Sequence, residues 1–317
     1  MKAKVKTLLH LLSHPQQLIE LMLHSAFPGC LLSDAKAISL LYRRRFGKRI
    51  NLKSPQTFNE KLLWLTLHDR RPEYSEMVDK YAAKDYIKHK LQSHTELSNR
   101  VNGGGKWVVP NALQVVEHFD EIDFDTLPEK FVIKTTHDSG SVVVCTDKTK
   151  INMASSKRMM ERSLKNNYFW FSREWAYKNV PPRILVEEYV ETERTYPTDF
   201  KFYCFNGTPK MCAIIHGREK AHPFMDFVDL HYNRLPIAQR YQNSERLEEQ
   251  PGAWELMIAI AGILSKDIPF IRVDFFCDKY NNCVIGELTL TPVSGLIPFD
   301  NPDVDRKLGD WLDISNL

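Results

Sequence analysis

The spacing of apolar residues changes near residue 106 of the 317-residue chain. Before it, apolar residues recur every three to four positions, the pattern of amphipathic helices. One such segment lies between Ser33 and Gly47, and others follow Thr57 and Asp79. Hydroxyl or acidic residues before a helical segment and glycine after it are helix start and stop signals. The pattern predicts a helical N-terminal region.

After residue 106, short apolar runs bounded by polar residues predict β-strands. Asn206-Gly207, between two of these runs, is typical of a two-residue hairpin turn. Helical spacing returns at residues 155–165 and 245–264. The predicted strands are Trp107–Val109, Phe131–Thr135, Val142–Cys145, Ile184–Val190, Phe200–Phe205 and Met211–Ile215. Together the elements predict an α+β fold.

A further hairpin is predicted between residues 270 and 290, with its polar turn centred between residues 280 and 281. This register places Asp274 opposite Glu287. The same face also carries Arg272 and Thr289, and the other face carries Val273, Phe275, Leu288 and Leu290. The second face is apolar and is expected to pack on the core.

Opposed carboxylates such as Asp274 and Glu287 repel each other, because directly paired side chains lie about 4.5–5.5 Å apart. A cation between them removes the repulsion. Magnesium fits best, since it binds one or two carboxylates together with water and phosphate oxygens. The open alternative is an exposed hairpin face with two solvated acids.

A second candidate site lies at the strand that ends in Lys134. The loop 135–141 that follows is made of small polar residues and one glycine, so its backbone N–H groups can approach phosphate oxygens. The apolar strand at 184–190 turns acidic at its exit, which suits a nucleotide base and ribose. Each signal is weak alone, and neither a Walker A loop nor a GxGxxG motif is present.

Composition narrows the class of protein without naming a function. A net charge of +3 is too small to indicate a nucleic-acid partner, and six scattered cysteines without a CxxC pair indicate a cytoplasmic protein. No run of about 18 apolar residues is present to span a membrane. Two short amphipathic helices are predicted around Pro15, with lysines at positions 2, 4 and 6. Peripheral contact with the inner face of the membrane is therefore an open alternative to packing on the protein body.

Six motifs follow one another along the chain: DK at 79–80, FVIKTTHDSGS at 131–141, VEEYV at 186–190, TDFKFYCFNG at 198–207, RVDFF at 272–276 and GELTLTP at 286–292. In this order they resemble the ATP-grasp superfamily. The segments FNEKLLWL at 58–65, MVDKYAAKDYI at 77–87, FVIKTTHDSGS at 131–141, TDFKFYCFNGTPK at 198–210 and GELTLTPVSG at 286–295 resemble its TupA-like branch of cell-surface polysaccharide biosynthesis. The similarity covers roughly residues 50 to 310. The superfamily's E-x-N ending is here Glu287-Leu288-Thr289.

The resemblance implies a role for each matching residue. Arg272 and Lys201 would face the triphosphate or an acyl phosphate, and Lys84 competes with Lys80 for the first lysine. The implied nucleotide-binding residues are Lys80, Lys134, Ser139, Gly140, Ser141, Glu187, Glu188, Tyr189, Val190 and Glu193. The implied magnesium ligands are Asp274, Glu287 and Thr289.

The resemblance also implies an ATP-grasp fold, in which two α+β subdomains grip ATP. We expect a helical region at 1–75, a first associated subdomain at 76–130, a central ATP-binding subdomain at 131–190 and a C-terminal subdomain at 191–317 that carries the metal carboxylates.

The implied activity is ATP- and magnesium-dependent ligation of a carboxylate to an amine. The acceptor would be a uronic acid of a glycan or lipid-linked saccharide, and the amine an amino acid or similar small amine. Two rival functions stay open. A glycosyltransferase would use one of the D-x-D patterns at 123–125 and 303–305, and a scaffold would bind ATP without turnover.

Overall fold

A computed structural model describes residues 29–94 and 106–317, so the helices predicted around Pro15 lie outside the described residues. The helices are α1 (Asp34–Phe46), α2 (Phe58–His68), α3 (Glu73–Val78), α4 (Ala82–Gln92), α5 (Met153–Leu164), α6 (Phe169–Ser172), α7 (Trp254–Ser265) and α8 (Pro302–Trp311). The strands are β1 (Trp107–Val108), β2 (Ala112–Val116), β3 (Phe131–Thr135), β4 (Val142–Cys145), β5 (Ile184–Glu188), β6 (Asp199–Phe205), β7 (Thr208–His216), β8 (Phe224–Val228), β9 (Arg234–Leu235), β10 (Phe270–Cys277) and β11 (Cys283–Thr289).

The predicted helix signals are confirmed at α1 and α2. The Ser33 hydroxyl accepts a hydrogen bond from a first-turn amide, and Gly47 ends α1 with a φ of 69°. Thr57 and Glu60 form a reciprocal capping box at the start of α2. The helix predicted from residue 245 was wrong in its start. It begins at Trp254, because Pro251 lacks an N–H and disfavours helical backbone before it.

Two sheets organise the chain. The larger has strand order β1-β11-β10-β6-β7-β8-β9, and the smaller has the order β2-β5-β3-β4. The predicted Asn206-Gly207 turn is confirmed between the antiparallel strands β6 and β7, with positive φ at both residues. Strand β8 was not predicted, because the fully buried Asp226 interrupts its apolar run.

The larger sheet is covered on both faces. Helix α7 packs Trp254 and Met257 on one face, against a cluster that includes Val273 and Leu288. On the other face, Phe58 of α2 and Leu308 of α8 pack on aromatic residues of the sheet. Since Tyr203 on this second face pairs directly with Arg272, the charged residues of the hairpin continue the face that α2 and α8 cover.

Candidate active site

The hairpin of β10 and β11 has the predicted register at its charged end. Asp274 pairs with Glu287, and Arg272 pairs with Thr289. A bulge at Gly286 then shifts the pairing, so that Phe275 pairs with Ile285. Val273, Phe275 and Leu288 are buried in the core as predicted, and Leu290 packs against them partly buried. The local sequence pattern therefore sets which side chains share the polar face.

Asp274 is the centre of a buried ion cluster, here named the aspartate cluster, which also contains Lys201 and Arg272. Arg272 Nε and Nη2 lie 2.6 and 2.7 Å from the two carboxylate oxygens, and Lys201 Nζ contacts one of them. Burial raises the pKa of the Asp274 carboxyl, but Arg272 and Lys201 outweigh burial and hold this pKa below its ordinary value. The Asp274 carboxyl is therefore ionised.

Glu287 and Thr289 supply the other oxygens of this face. Thr289 Oγ1 accepts a hydrogen bond from Arg272 at 3.0 Å and lies 3.3 Å from a Glu287 carboxylate oxygen. Carboxylate and hydroxyl oxygens suit magnesium, so the donor set fits the predicted metal. Both oxygens of Asp274 already contact cations, so a magnesium ion held here would bind chiefly through the half-buried Glu287, with Thr289 buried beside it. Among residues 29–94 and 106–317, no three acidic, histidine or cysteine side chains gather into a metal site.

A second buried ion cluster, the lysine cluster, consists of Lys84, Lys134 and Glu187. The two carboxylate oxygens of Glu187 lie 2.5 Å from Lys134 Nζ and 2.6 Å from Lys84 Nζ. Lys84 also donates to the carbonyl oxygen of Pro110. Burial raises the pKa of Glu187, but the two lysines outweigh burial and lower it overall. Burial lowers the pKa of Lys84, which Glu187 partly offsets.

The lysine cluster borders a cavity of about 180 Å³ that is lined by residues of both sheets. Val132 and Val144 supply apolar walls, and residues 187–190 supply the strand exit. Apolar walls beside backbone groups suit a planar base. The predicted residues Glu187, Glu188, Tyr189 and Val190 therefore line one cavity together with Lys134. The Glu188 carboxylate is already bound by the backbone and side-chain amides of Asn111.

Glu193 does not share this cavity. It is exposed and lines a neighbouring cavity of about 600 Å³ that also contains Arg194 and Asp278. Thr192 borders both cavities, so the two are adjacent. The ribose role of Glu193 stays a prediction.

Lys80 lies under the loop that follows β3. Its ammonium donates to the carbonyl oxygens of Thr135 and Asp138. The Asp138 carboxylate in turn accepts hydrogen bonds from the hydroxyls of Thr135, Ser141 and Ser163. Ser139 and Gly140 form the exposed tip, where Gly140 has a φ of 103°. Lys80 thus contacts the loop, whereas its competitor Lys84 contacts the cavity.

Comparison with known families decides the classification. A family model described as TupA-like ATPgrasp matches residues 60–313. The chain belongs to the TupA-like ATP-grasp family. The predicted α+β ATP-grasp fold with a helical region before it is thereby confirmed for the described residues. No curated protein matches the chain.

Solved structures of ATP-grasp ligases are similar at low identity. The ATP-grasp ligase PsnB with its minimal precursor has 10% identity and a TM-score of 0.37, covering 73% of this chain and 60% of PsnB. An L-amino acid ligase from Bacillus licheniformis has 12% identity and a TM-score of 0.42, covering 84% of this chain and 57% of that ligase. D-alanine–D-alanine ligase from Bacillus anthracis has 16% identity and a TM-score of 0.39, covering 81% and 69%. The chain spans less than two thirds of the first two ligases.

Beside the family motifs, the structure places a buried acid that the sequence did not single out. Glu174 accepts a hydrogen bond from the Ser294 hydroxyl at 2.9 Å. Burial, reinforced by Glu287 and opposed by the hydrogen bond from Ser294, raises the pKa of the Glu174 carboxyl to about 7. Val293 and Ser294 have left-handed backbone, which is unusual for a β-branched residue. No sequence motif marks Glu174, because its neighbours come from distant segments.

Glu174 borders a cavity of about 430 Å³ with Arg272, Glu287 and Thr289. Ser139 of the loop tip lines the same cavity. The face that carries the predicted metal ligands therefore opens into the space that the predicted phosphate loop also borders. Chemically, this space combines guanidinium, carboxylate and hydroxyl groups with a small-residue loop.

The D-x-D patterns have structural roles. The Asp123 carboxylate caps the backbone N–H of Asp125, and buried Asp305 accepts two hydrogen bonds from Asn59. In the part of the chain that the structure describes, no helix has the length and hydropathy of a membrane span.

Proposed function

We propose that the protein is an ATP- and magnesium-dependent carboxylate–amine ligase. We further propose that it joins an amino acid or small amine to a uronic acid of a cell-surface polysaccharide or its lipid-linked precursor. One observation carries the proposal: Arg272, Glu287 and the loop residue Ser139 line a single cavity. A carboxylate placed there would be within reach of a triphosphate held by the loop.

In the first step, a carboxylate oxygen of the acceptor attacks the γ-phosphorus of ATP, and ADP leaves. In the second, the amine nitrogen attacks the acyl phosphate, inorganic phosphate leaves, and the ammonium proton passes to solvent. Lys134 and Lys80 would hold phosphate oxygens, and Arg272 would face the transferred phosphoryl group. These are positioning and charge-neutralising roles, so no covalent enzyme intermediate is needed.

Glu287 and Thr289, with Asp274 behind them, are the residues that would hold magnesium. When bound, magnesium would neutralise phosphate oxygens and orient the triphosphate. Asp274 and Thr289 also keep Arg272 in place, because both accept its hydrogen bonds.

The proposal is tested by ADP and phosphate release from purified protein across a matrix of uronic acids and amines. ADP released only when one carboxylate and one amine are both present would establish the ligase and identify both substrates. Hydroxylamine in place of the amine should trap the acyl phosphate as a hydroxamate. Consumption of a nucleotide sugar without ADP release would instead favour glycosyl transfer. Tight ATP binding with no turnover on any pair would favour a scaffold.

A further inference from the structure

Three arginines, residues 43–45, lie in the last turn of α1, and two of them line the cavity of the proposed reaction. Leu41, Arg44 and Arg45 lie at positions i, i+3 and i+4 of α1, so they share one helix face. That face lines the 430 Å³ cavity with Arg272 and Glu287, whereas Arg43 does not line it. The default role of arginines in a last helical turn is to complement the helix dipole. The helix dipole does not account for their place in the wall of the cavity.

A fourth arginine reaches the cavity from a separate loop. Arg240 follows β9, and its backbone is left-handed with a φ of 66°. Its guanidinium carbon lies 4.9 Å from the ring centroid of Tyr241, which supports the exposed side chain. The helix-dipole explanation does not apply to Arg240, because it lies outside any helix.

Two guanidinium groups of this cavity are not paired with its carboxylates. Arg45, Arg240 and Arg272 line it together with Glu174 and Glu287. Arg272 is already paired with Asp274. Within residues 29–94 and 106–317, no carboxylate forms an ion pair with Arg45 or Arg240. Guanidinium groups bind carboxylates and phosphates in bidentate geometry, so Arg45 and Arg240 favour an anionic ligand.

We propose that Arg45 and Arg240 bind a second anionic group on the acceptor. This inference rests on the proposed ligase function, and it identifies the acceptor as a molecule with at least two anionic groups. One is the carboxylate that is activated beside Arg272. The other is a neighbouring carboxylate or a sugar phosphate, which have the same guanidinium-binding chemistry.

Calorimetric titration of the full chain with three probes distinguishes a second carboxylate from a sugar phosphate. Magnesium and a non-hydrolysable ATP analogue are present throughout. Glucuronic acid has one anionic group, digalacturonic acid has two carboxylates, and glucuronic acid 1-phosphate has a carboxylate and a phosphate. We expect at least one doubly anionic probe to bind about tenfold more tightly than glucuronic acid, the size of one charge-assisted hydrogen-bonding contact. Tighter binding of only one of them would identify the second group.

Arg45→Ala and Arg240→Ala should each abolish that tenfold preference and leave binding of the ATP analogue unchanged. Arg43→Ala is the matched control, since it removes the same side chain from the same helix outside the cavity. Thermal melting of each variant checks the fold, and Arg45→Lys should keep part of the preference.

Equal affinity for the three probes, no binding of any of them, or an equal effect of Arg43→Ala would overturn the inference. So would weaker nucleotide binding in the two cavity variants, which would assign the arginines to ATP. Failure of the ligase proposal is seen separately, as absent ADP release by the wild-type protein with probe binding intact.

Discussion

The lysine cluster and the aspartate cluster both neutralise a buried carboxylate with two cations. They differ in how far along the chain those cations lie from the carboxylate. Each has one buried carboxylate between two cations. Asp274 takes Arg272 from two residues away and Lys201 from the paired position on the next strand. Glu187 takes Lys84 from a helix more than a hundred residues earlier. The aspartate cluster follows from strand register, whereas the lysine cluster requires α4, which packs in the core of the larger sheet, to bring Lys84 to Glu187 of the smaller sheet.

The two clusters also differ in what surrounds them. The lysine cluster borders a mostly apolar cavity of about 180 Å³. The aspartate cluster lies beside Glu287 and the arginine-lined cavity. Removing the carboxylate from such a cluster would leave its cations buried and unpaired, which is strongly unfavourable. Each carboxylate therefore holds cations near the positions where ATP and the acceptor would carry negative charge.

The largest effects are expected when the central carboxylate of each cluster is neutralised. Asp274→Asn and Glu187→Gln should each lower the free energy of unfolding by about 3–5 kcal/mol, because two buried cations lose their partner. Asp274→Asn should also lower turnover by about 10²–10³-fold through a displaced Arg272. Glu187→Gln should keep turnover at saturating ATP. Urea unfolding and ADP release measure the two effects, and equal turnover in both variants would contradict the division of roles.

A smaller effect is expected from removing single lysines of the lysine cluster. Lys134→Ala should weaken ATP binding about tenfold or more, since a charge-assisted contact to phosphate is lost. Lys84→Ala should chiefly lower stability, because the ammonium is buried against Glu187 and Pro110. Calorimetric titration with ATP analogue separates them. Unchanged nucleotide affinity in Lys134→Ala would argue against its phosphate role.

Glu174, which lines the same cavity as Arg272, should make the stability of the protein depend on pH. Its folded pKa of about 7 lies above the ordinary value of 4.5, so the folded state retains a proton that the unfolded state releases. The free energy of unfolding should therefore fall as the pH rises from about 4.5 to about 7, and this group should contribute about 3 kcal/mol to the decrease. Glu174→Gln should flatten this decrease, and Glu73→Gln, at an exposed position, should not. Identical pH slopes in all three proteins would disprove the raised pKa.

The smallest effect concerns Thr289, the residue that replaces the superfamily's asparagine. Thr289→Val keeps the shape but loses the hydroxyl that binds Arg272. We expect a two- to tenfold higher magnesium requirement for ADP release, the size of one neutral hydrogen bond or weak ligand. Thr289→Ser should remain close to wild type. An unchanged magnesium requirement in Thr289→Val would remove Thr289 from the ligand set.

The parts of the site that lie within a single hairpin could be predicted from the sequence. The pairing of Asp274 with Glu287 follows from the alternation of side chains and the position of a polar turn. The bulge at Gly286 could not be predicted, since the apolar pattern tolerates an extra residue beyond the charged end. The helix expected from residue 245 shows the same limit, because periodicity alone ignored Pro251.

The sequence by itself determined the helical N-terminal region, the caps of α1 and α2, the hairpin register and the family. These depend on neighbouring residues, on side-chain alternation or on motifs that are contiguous in the chain. Only the tertiary structure decided that Lys84 binds Glu187, that Glu174 is buried beside Ser294, and that Arg45 and Arg240 line one cavity. These contacts join segments separated by roughly a hundred residues or more, and their geometry is set by how helices pack on the two sheets rather than by any local pattern.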